Sequence, residues 1–330
     1  MMTLESTIDV APAATTRAAA EMSLPPARLL RAFNFVPLRL RYLSLYAWGK
    51  MAVGRPSSEV CASRLAGVSL AADQLRLQKS PQDVVEAMET EYFARWALLV
   101  ATLFQREWRS SPFLTIHGLD EVRALGKTGP ILFLGTHFGM HWMVGNFLRS
   151  IKAPLHPLIF HTEVAYLAVA EKWMRASEPR LNEIRPIAIP QADSLLKATA
   201  ALRQGHAVYI VPDTDTGSVG KKYNANLLGR TLSVRGPETL SRICNAPIVF
   251  CYVERRGGSN PLDHTFEIHL DEAWRPGDAT PAQDVVHDVL AKIESLIRER
   301  PEQWTLWNRF ADIGRQEEPV VGSVATAVDD

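Results

Sequence analysis

The chain has 330 residues, of which 47% are hydrophobic and 22% charged, as expected of a globular protein with a sizeable core. Its 36 basic and 36 acidic residues cancel, so no overall field draws the molecule to nucleic acid, and we expect no nucleic-acid partner. The three cysteines form neither a CxxC pair nor an even set, and no basic stretch followed by an apolar run opens the chain, which together favour a cytoplasmic protein with reduced thiols.

Composition divides the chain into an arm, one domain and a tail. Residues 1–24 are rich in Ala, Thr and Ser without a helical or strand period, which predicts a disordered arm, and residues 313–330 predict a similar tail. Between them we expect a single domain, residues 25–312. Its first part, 25–110, is expected to be helical, and its second part, 111–312, to form an α/β core.

The segment 26–55 is basic and aromatic. It holds six Arg and Lys residues and no acid, with Leu, Phe, Tyr and Trp between them. One interpretation is an amphipathic segment that lies on an anionic lipid surface, which predicts a peripheral contact with the inner face of the inner membrane. The other is a helix whose apolar side packs on the domain while its arginines stay solvated. Pro37 divides the segment, so a straight membrane span is not expected.

Helical spacing runs from Pro81 to Trp108, and apolar runs then alternate with helical segments. Such alternation predicts an α/β fold with a mixed, mostly parallel sheet flanked by helices. The strand-like runs are PILFLGTH (130–137), LHPLIF (155–160), RPIAIP (185–190), HAVYIVPD (206–213), APIVFCYVERR (246–256) and TFEIHLD (265–271). The helical segments are Val164–Ala176, Asp193–Leu202, Gly236–Cys244 and 281–300.

The uncharged stretch GPILFLGTHFGMHWMVGNFL (129–148) has three interpretations: a membrane span, a metal site, or a strand that delivers a catalytic base. Its glycines and its polar side chains argue against a span in lipid. We predict a strand from Pro130 to Thr136, a turn, and a helix from about Met140. His137 then lies at the carboxyl end of a strand, where open α/β sheets bind ligands.

A second strand end carries a complementary group. The run HAVYIVPDTDTG is apolar to Val211 and then brings Asp213 and Asp215. If the two strands are parallel, Asp213 and His137 emerge on the same edge, and a carboxylate beside an imidazole fixes its tautomer and raises its basicity. Each residue alone also has an ordinary interpretation, a hydrogen-bonded structural histidine and a turn aspartate.

Four blocks of the chain, in order, resemble the bacterial lipid A late acyltransferases, which are lysophospholipid acyltransferase-like enzymes. The resemblance implies a glycerolphosphate acyltransferase-like fold and transfer of an acyl chain from an acyl carrier protein or coenzyme A thioester to a hydroxyl or amine. It also implies that His137 is the general base. The blocks are IHGLDEVRALGKTGPILFLGTHFG (116–139), LLKATAALRQGHAVYIVPDTDTG (195–217), LLGRTLSVRGPETLSRICNAPIVFCYVERR (227–256) and RPEQWTLWNRF (300–310).

The chain departs from the family's His-x4-acid motif, because Trp142 stands five residues after His137. A motif that starts at His141 ends in Asn146, which orients an imidazole but does not stabilise its cation. Three alternatives follow: Asp213 or Asp215 supplies the carboxylate, His141 shares the role, or the chemistry is weakened. No GxSxG motif is present, so direct transfer is favoured over an acyl-enzyme.

Basic residues are the candidates for substrate binding. Arg175 is the closest match to an arginine that the family has after its second strand. Between Asp215 and Glu238 lie only basic charges, and such a loop is suited either to hold a phosphate, from a lipid head group or from phosphopantetheine, or simply to be solvated. These loop residues are Lys221, Lys222, Arg230 and Arg235. The acceptor is a lipid, a glycolipid or a secondary metabolite.

Two alternatives belong to other function classes. His137 and His141, four residues apart, with Asp213 and Asp215 have the residue types of a metal-dependent hydrolase. His137 precedes the predicted helix and no HExxH follows, so we expect no metal and no cofactor. The second alternative is a fold that binds acyl carrier protein or lipid without turnover. Retained donor affinity without activity distinguishes it from an enzyme.

Overall fold

The computed structural model describes most of the chain between residues 35 and 313. The expected arm 1–24, most of the expected tail and the expected helix Val164–Ala176 lie outside the described residues. The described residues are 35–52, 56–103, 105, 107–160, 183–189, 191, 193–214, 223–234, 236–275 and 282–313.

The described residues of the N-terminal part form three helices, in line with the expected helical part: α1 (Leu38–Ala52), α2 (Ser58–Leu75) and α3 (Pro81–Thr102). Helix α2 is capped by Ser57 and α3 by Ser80, whose hydroxyl oxygens accept hydrogen bonds from backbone N–H groups of the first turn. Pro81 at the first position of α3 fixes a helical φ without the loss of a hydrogen bond. Helix α3 ends at Thr102, earlier than the expected Trp108.

A seven-stranded sheet forms the core, in the order β1-β9-β8-β2-β5-β3-β4. Every neighbouring pair is parallel except β8 and β9, so the predicted mixed, mostly parallel sheet is confirmed. The strands are β1 (Leu114–His117), β2 (Ile131–Leu134), β3 (Leu155–Phe160), β4 (Ile187–Ile189), β5 (Ala207–Ile210), β8 (Ile248–Arg256) and β9 (Thr265–Trp274), with a separate pair β6 (Tyr223–Leu227) and β7 (Arg230–Val234).

Helices cover both faces of the sheet. Successive residues of β2 contribute to the two cores, Leu132 and Leu134 on one side and Phe133 on the other, as the pleat requires. The helices of the α/β part are α4 (Leu119–Thr128), α5 (His141–Leu148), α6 (Ser194–Arg203), α7 (Pro237–Cys244) and α8 (Ala282–Glu299), with 3-10 turns at Pro261–Asp263, Pro301–Gln303 and Leu306–Arg309.

The six predicted apolar runs are confirmed as β2, β3, β4, β5, β8 and β9. Strand β1, helix α4 and the β6–β7 hairpin were not predicted. The hairpin occupies part of the expected basic loop, and its turn residues Leu228 and Gly229 both have positive φ, as a type I′ turn requires. The backbone N–H of Leu228 donates to Glu294 of α8 at 2.8 Å, which fixes the hairpin on the domain.

A buried ion pair joins α3 to β8. Glu91 is fully buried and Arg255 is 4% exposed, and Arg255 Nε donates to Glu91 Oε1 at 2.7 Å. Burial raises the pKa of Glu91, although the adjacent Arg255 opposes the shift. The guanidinium also donates to the carbonyl oxygens of Gly257 and Gly258, at 3.0 and 2.7 Å. The strand end, the following turn and α3 are therefore held by one side chain.

Gln303 attaches the C-terminal segment to the same strand end. Its side-chain oxygen accepts from Arg255 N at 2.9 Å and its side-chain nitrogen donates to Arg255 O at 2.8 Å. Arg95 of α3 donates to the carbonyl oxygens of Glu302 and Gln303, at 3.3 and 3.5 Å. The turn Pro301–Gln303 is thus fixed against both α3 and β8, next to the residues that follow β2.

We expect Arg255→Met to lower the free energy of unfolding by about 3–5 kcal/mol, because it leaves Glu91 buried without its cation. The matched control is Lys197→Met, which removes one partner of the half-exposed pair Lys197–Asp193 and should cost less than about 1 kcal/mol. Urea unfolding followed by circular dichroism measures both. Equal losses in the two variants would contradict the structural role given to Arg255.

Candidate active site

The candidate active site lies where β2 and β5 end. The two strands are parallel neighbours, with Leu134 opposite Ile210, and the backbone N–H of Gly135 donates to Ile210 O at 2.8 Å. His137 and Asp213 each follow three residues after this matched pair. The same register therefore brings both side chains to the carboxyl edge of the sheet, where α/β proteins bind ligands.

His137 and Asp213 are in direct contact. Nδ1 of His137 lies 2.7 Å from Oδ1 of Asp213, and the backbone N–H of His137 donates to Oδ2 at 2.8 Å. The side chain of Asp213 is fully buried, whereas that of His137 is 19% exposed. With Asp213 ionised, the ring hydrogen is on Nδ1, so Nε2 on the opposite edge of the ring carries a lone pair.

Two further groups donate to Asp213. The hydroxyl of Thr136 donates to Oδ2 at 2.8 Å, and the indole Nε1–H of Trp304 donates to the same oxygen at 3.1 Å. Burial alone raises the pKa of Asp213, but the His137 ring and the hydrogen bonds from His137 and Thr136 outweigh burial. The pKa of Asp213 therefore lies below its usual range, and the carboxylate is ionised at neutral pH.

The three backbone N–H groups after His137 donate hydrogen bonds within the protein. The N–H of Phe138 donates to Thr136 Oγ1 at 3.1 Å, that of Gly139 to Gln303 O at 2.8 Å, and that of Met140 to Val253 O at 2.9 Å. None of these three amides is open to a substrate oxygen.

Two glycines allow the chain to pass this close to its neighbours. Gly139 has φ +65°, and a Cβ there would collide with the carbonyl oxygen of Val253. Gly135 lies against the ring of Tyr209 in β5, and a Cβ would collide with the tyrosine hydroxyl. Larger residues at these positions would push β2 and the His137 turn away from β5 and β8.

His141 begins α5 beside the pair. Its ring centroid lies 5.2 Å from that of His137, with the two planes tilted by 56°. Burial lowers the pKa of His141 well below its usual range, and the neighbouring His137 and Arg95 lower it further. His141 is therefore neutral at pH 7. It lies beside His137 but offers neither a carboxylate nor a cation to that ring.

Trp142 and Asn146, the two positions at which the family motif could end, both lie in α5. Trp142 is the second residue of α5, five positions after His137. Asn146, the alternative end of a motif starting at His141, is buried and donates to the carbonyl oxygens of Thr102 and Leu103, at 3.0 and 3.4 Å. Asn146 thus fastens α5 to the end of α3 and does not orient His141.

The metal alternative receives no support from the described residues. Within them, one group of three His, Cys, Asp or Glu side chains has donor atoms close enough to share an ion, and it consists of His117, Glu267 and His269. His137, His141 and Asp213 do not form such a group. Asp215 lies outside the described residues.

The comparison with protein families identifies the chain. The family model of the bacterial lipid A biosynthesis acyltransferases matches residues 78–310, well over half of the 330 residues. The chain belongs to this family. No individual curated protein matches the chain. The protein is therefore an acyltransferase, with an acyl donor and a lipid acceptor, and the resemblance noted in the sequence is confirmed.

The predicted basic residues of this acyltransferase are only partly described. Arg175, Lys221, Lys222 and Arg235 lie outside the described residues, as does Asp215. Arg230 begins β7, donates to the carbonyl oxygens of Ala311 and Ile313 at 3.2 Å each, and lies over the ring of Phe310. Arg230 therefore holds the C-terminal turn against the hairpin and is not part of an open loop.

The sequence analysis gave no role to three residues that contact His137 or Asp213 at the candidate site: Thr136, Trp304 and Thr305. Thr136 precedes His137; its hydroxyl donates to Asp213 Oδ2 and accepts from the Phe138 N–H. Trp304, within the block RPEQWTLWNRF, was recognised only as part of a resemblance, without a role. Thr305, the next residue, donates from its backbone and its hydroxyl to His137 O, at 3.1 Å each. These contacts join segments 168 residues apart, which no local pattern shows.

Helices in the described part of the acyltransferase are too short or too polar to cross a membrane. The stretch 129–148 forms β2, a turn and α5, so the prediction of a strand and a helix there is confirmed and the interpretation as a span is wrong.

We expect Gly139→Ala to destabilise the acyltransferase by about 2–5 kcal/mol, through a strained φ and a collision with Val253 O. Gly145, six residues on and within α5, is the matched control, because open space surrounds a Cβ there. Gly145→Ala should be neutral or stabilising by up to about 1 kcal/mol. Urea unfolding compares the two. A Gly139→Ala variant as stable as Gly145→Ala would contradict the close contact between Gly139 and Val253 O.

Proposed function

We propose that the protein moves an acyl chain from an acyl carrier protein or coenzyme A thioester to a hydroxyl or amine of a lipid, glycolipid or secondary metabolite, with His137 as general base. The observation that carries this proposal is the 2.7 Å contact between His137 Nδ1 and the buried carboxylate of Asp213, in a chain of an acyltransferase family.

The proposed reaction is a direct transfer. Nε2 of His137 takes the proton of the acceptor hydroxyl or amine while its oxygen or nitrogen attacks the thioester carbonyl carbon. The tetrahedral intermediate then expels the sulfur of the donor, which accepts the proton held on Nε2. An ester or amide bond forms, the carbon–sulfur bond breaks, and the base returns to its starting state.

Asp213 is proposed as the acid of the base pair, in place of a residue five positions after His137. Its ionised carboxylate holds the Nδ1–H tautomer and stabilises the imidazolium that forms during transfer. Of the two aspartates that follow β5, we choose Asp213, because its contacts with His137, Thr136 and Trp304 are direct. His141 remains a neutral neighbour and is not proposed to carry the proton.

Basic residues are proposed to hold the phosphate of the donor or of the lipid. Lys221 and Lys222 follow Asp213 by eight and nine residues in the sequence. Arg175 and Arg235 remain candidates for the same role. Arg230 is the weakest candidate, because its guanidinium already binds the C-terminal turn.

We expect His137→Ala and Asp213→Asn each to reduce acyl transfer by about 10³–10⁴-fold, because the first removes the base and the second its tautomer and charge. Chelator should leave transfer unchanged, since the proposed steps use only side chains. Thioester consumption with acyl carrier protein and coenzyme A donors measures these rates. Urea unfolding of each variant shows whether the chain is still folded.

Asp215→Asn is the matched comparison for Asp213, since it removes the same charge two residues on, and it should cost less than about tenfold. His156→Ala, at the start of β3, should leave the rate within about twofold. A folded His137→Ala variant with the rate of the wild type would overturn the assignment of the base. Loss of activity with chelator would favour the metal-dependent alternative.

A membrane-surface contact through α1 is also proposed, on the inner face of the inner membrane. Leu40, Trp48 and Met51 are exposed and recur along one side of the helix, and α1 contains no acidic residue. Arg39 beside them donates to Leu262 O, and Leu262 is itself 56% exposed. An apolar stripe with basic neighbours is suited to an anionic lipid surface.

The other side of α1 packs on the domain. Tyr42, Leu45 and Tyr46 are buried. Arg41 is also buried and donates to Ala101 O at 2.9 Å and to Gln105 Oε1 at 3.0 Å. Arg41 therefore fixes α1 on the end of α3 and is neither solvated nor directed at lipid. Both interpretations of the segment 26–55 had placed its arginines at the surface, so for Arg41 both are wrong.

We expect the triple variant Leu40→Ser, Trp48→Ser and Met51→Ser to bind vesicles of phosphatidylglycerol and phosphatidylethanolamine at least about tenfold more weakly, through lost apolar burial. Co-sedimentation measures the bound fraction. The control variant Leu70→Ser, Leu196→Ser and Ile243→Ser removes three exposed apolar side chains from α2, α6 and α7 and should bind as the wild type does. Equal weakening in both variants would refute a contact specific to α1.

A further inference from the structure

A second cluster of chemically active side chains lies on β1 and β9, at one edge of the sheet. His117 ends β1 and is directly opposite His269 in β9. Glu267 precedes His269 by two residues and therefore points to the same face of the sheet. Strands β9 and β8 separate β1 from β2, so this cluster is distinct from the His137 site.

The polar atoms of the three side chains lie close together. Glu267 Oε2 lies 3.3 Å from His269 Nε2 and 3.8 Å from His117 Nε2. All three atoms are within 4.8 Å of one another. The two imidazoles are stacked, with centroids 4.7 Å apart and planes 20° from parallel, so both rings present Nε2 to the same carboxylate oxygen.

These separations approach those of a tetrahedral metal site. Ligand atoms bound to Zn²⁺ at 2.0–2.2 Å lie roughly 3.3–3.5 Å from one another. The Glu267–His269 separation is already in this range, and a small rotation of His117, whose side chain is 48% exposed, would bring in the third atom.

The surrounding residues orient the ligands. The second oxygen of Glu267, Oε1, lies 3.4 Å from Arg256 Nε, which leaves Oε2 for the imidazoles. Tyr252 of β8 stacks on His269 with centroids 4.5 Å apart and planes 6° from parallel. Such neighbours fix ligand orientation in metal sites. His269 Nε2 is buried and also lies 3.4 Å from Glu254 Oε1, so a second carboxylate adjoins the cluster.

We propose that His117, Glu267 and His269 bind Zn²⁺ or a related divalent transition-metal ion, with the fourth position open to water. Two imidazoles and one carboxylate suit Zn²⁺, Co²⁺ and Ni²⁺, whereas Mg²⁺ and Ca²⁺ select sites built of oxygen ligands. The ion joins β1 at the sheet edge to β9. Its effect is on the stability of that edge, and acyl transfer does not depend on it.

The test uses the full chain after chelator and dialysis, with zinc sulfate added in a calorimetric titration. We expect one ion per chain, a Tm raised by several degrees with Zn²⁺ but not with Mg²⁺, and visible Co²⁺ absorption of tetrahedral intensity. His117→Gln and Glu267→Gln should each weaken zinc affinity by at least tenfold and abolish the Tm shift. Both positions are partly exposed, so folding should persist, as circular dichroism will show.

The control variant is His156→Gln. His156 and His206 form another close imidazole pair, with Nε2 of one 3.2 Å from Nδ1 of the other, but without a carboxylate among their described contacts. The proposal is supported if His156→Gln keeps the zinc affinity and the Tm shift. It is overturned if zinc binding is lost in His156→Gln, if it survives in both His117→Gln and Glu267→Gln, or if no zinc binds at micromolar concentration.

Discussion

The buried carboxylate of Asp213 is the group on which the candidate active site depends. It accepts hydrogen bonds from the ring and backbone of His137, from Thr136 and from Trp304. Thr136 and His137 lie in the turn after β2, and Trp304 lies in the C-terminal segment. A carboxylate without these donors would be costly to remove from water. The strand register, the position of the histidine and the path of the C-terminal segment are therefore fixed by one another.

The C-terminal segment is consequently part of the site and not only a cover for it. Gln303 binds the backbone of Arg255 with both atoms of its amide, Arg255 binds Glu91 of α3, and Trp304 then reaches Asp213. Helix α3 is thus linked, through buried side chains, to the edge of the sheet that carries His137 and Asp213.

Sequence reasoning found what depends on local pattern. The apolar strands, the edge where they end and the proximity of His137 and Asp213 follow from parallel strands of matched length. It missed Trp304, the β6–β7 hairpin and the buried role of Arg41, because each depends on a partner far along the chain. His117 and His269 illustrate the same limit: they are 152 residues apart, and only the pairing of β1 with β9 brings them together.

The site is also arranged so that only one of two adjacent imidazoles becomes charged. Two imidazolium rings with centroids 5.2 Å apart would repel by about 3 kcal/mol at an effective dielectric constant of 20. Burial and the nearby Arg95 keep the pKa of His141 low, so it remains neutral while His137 faces the carboxylate. Under the proposed mechanism the proton therefore has one favoured location, on the ring that contacts Asp213. Asp213, which follows β5, would hold the proton on His137 without an acidic residue on α5. This is consistent with Trp142 at the position where the family motif has an acid.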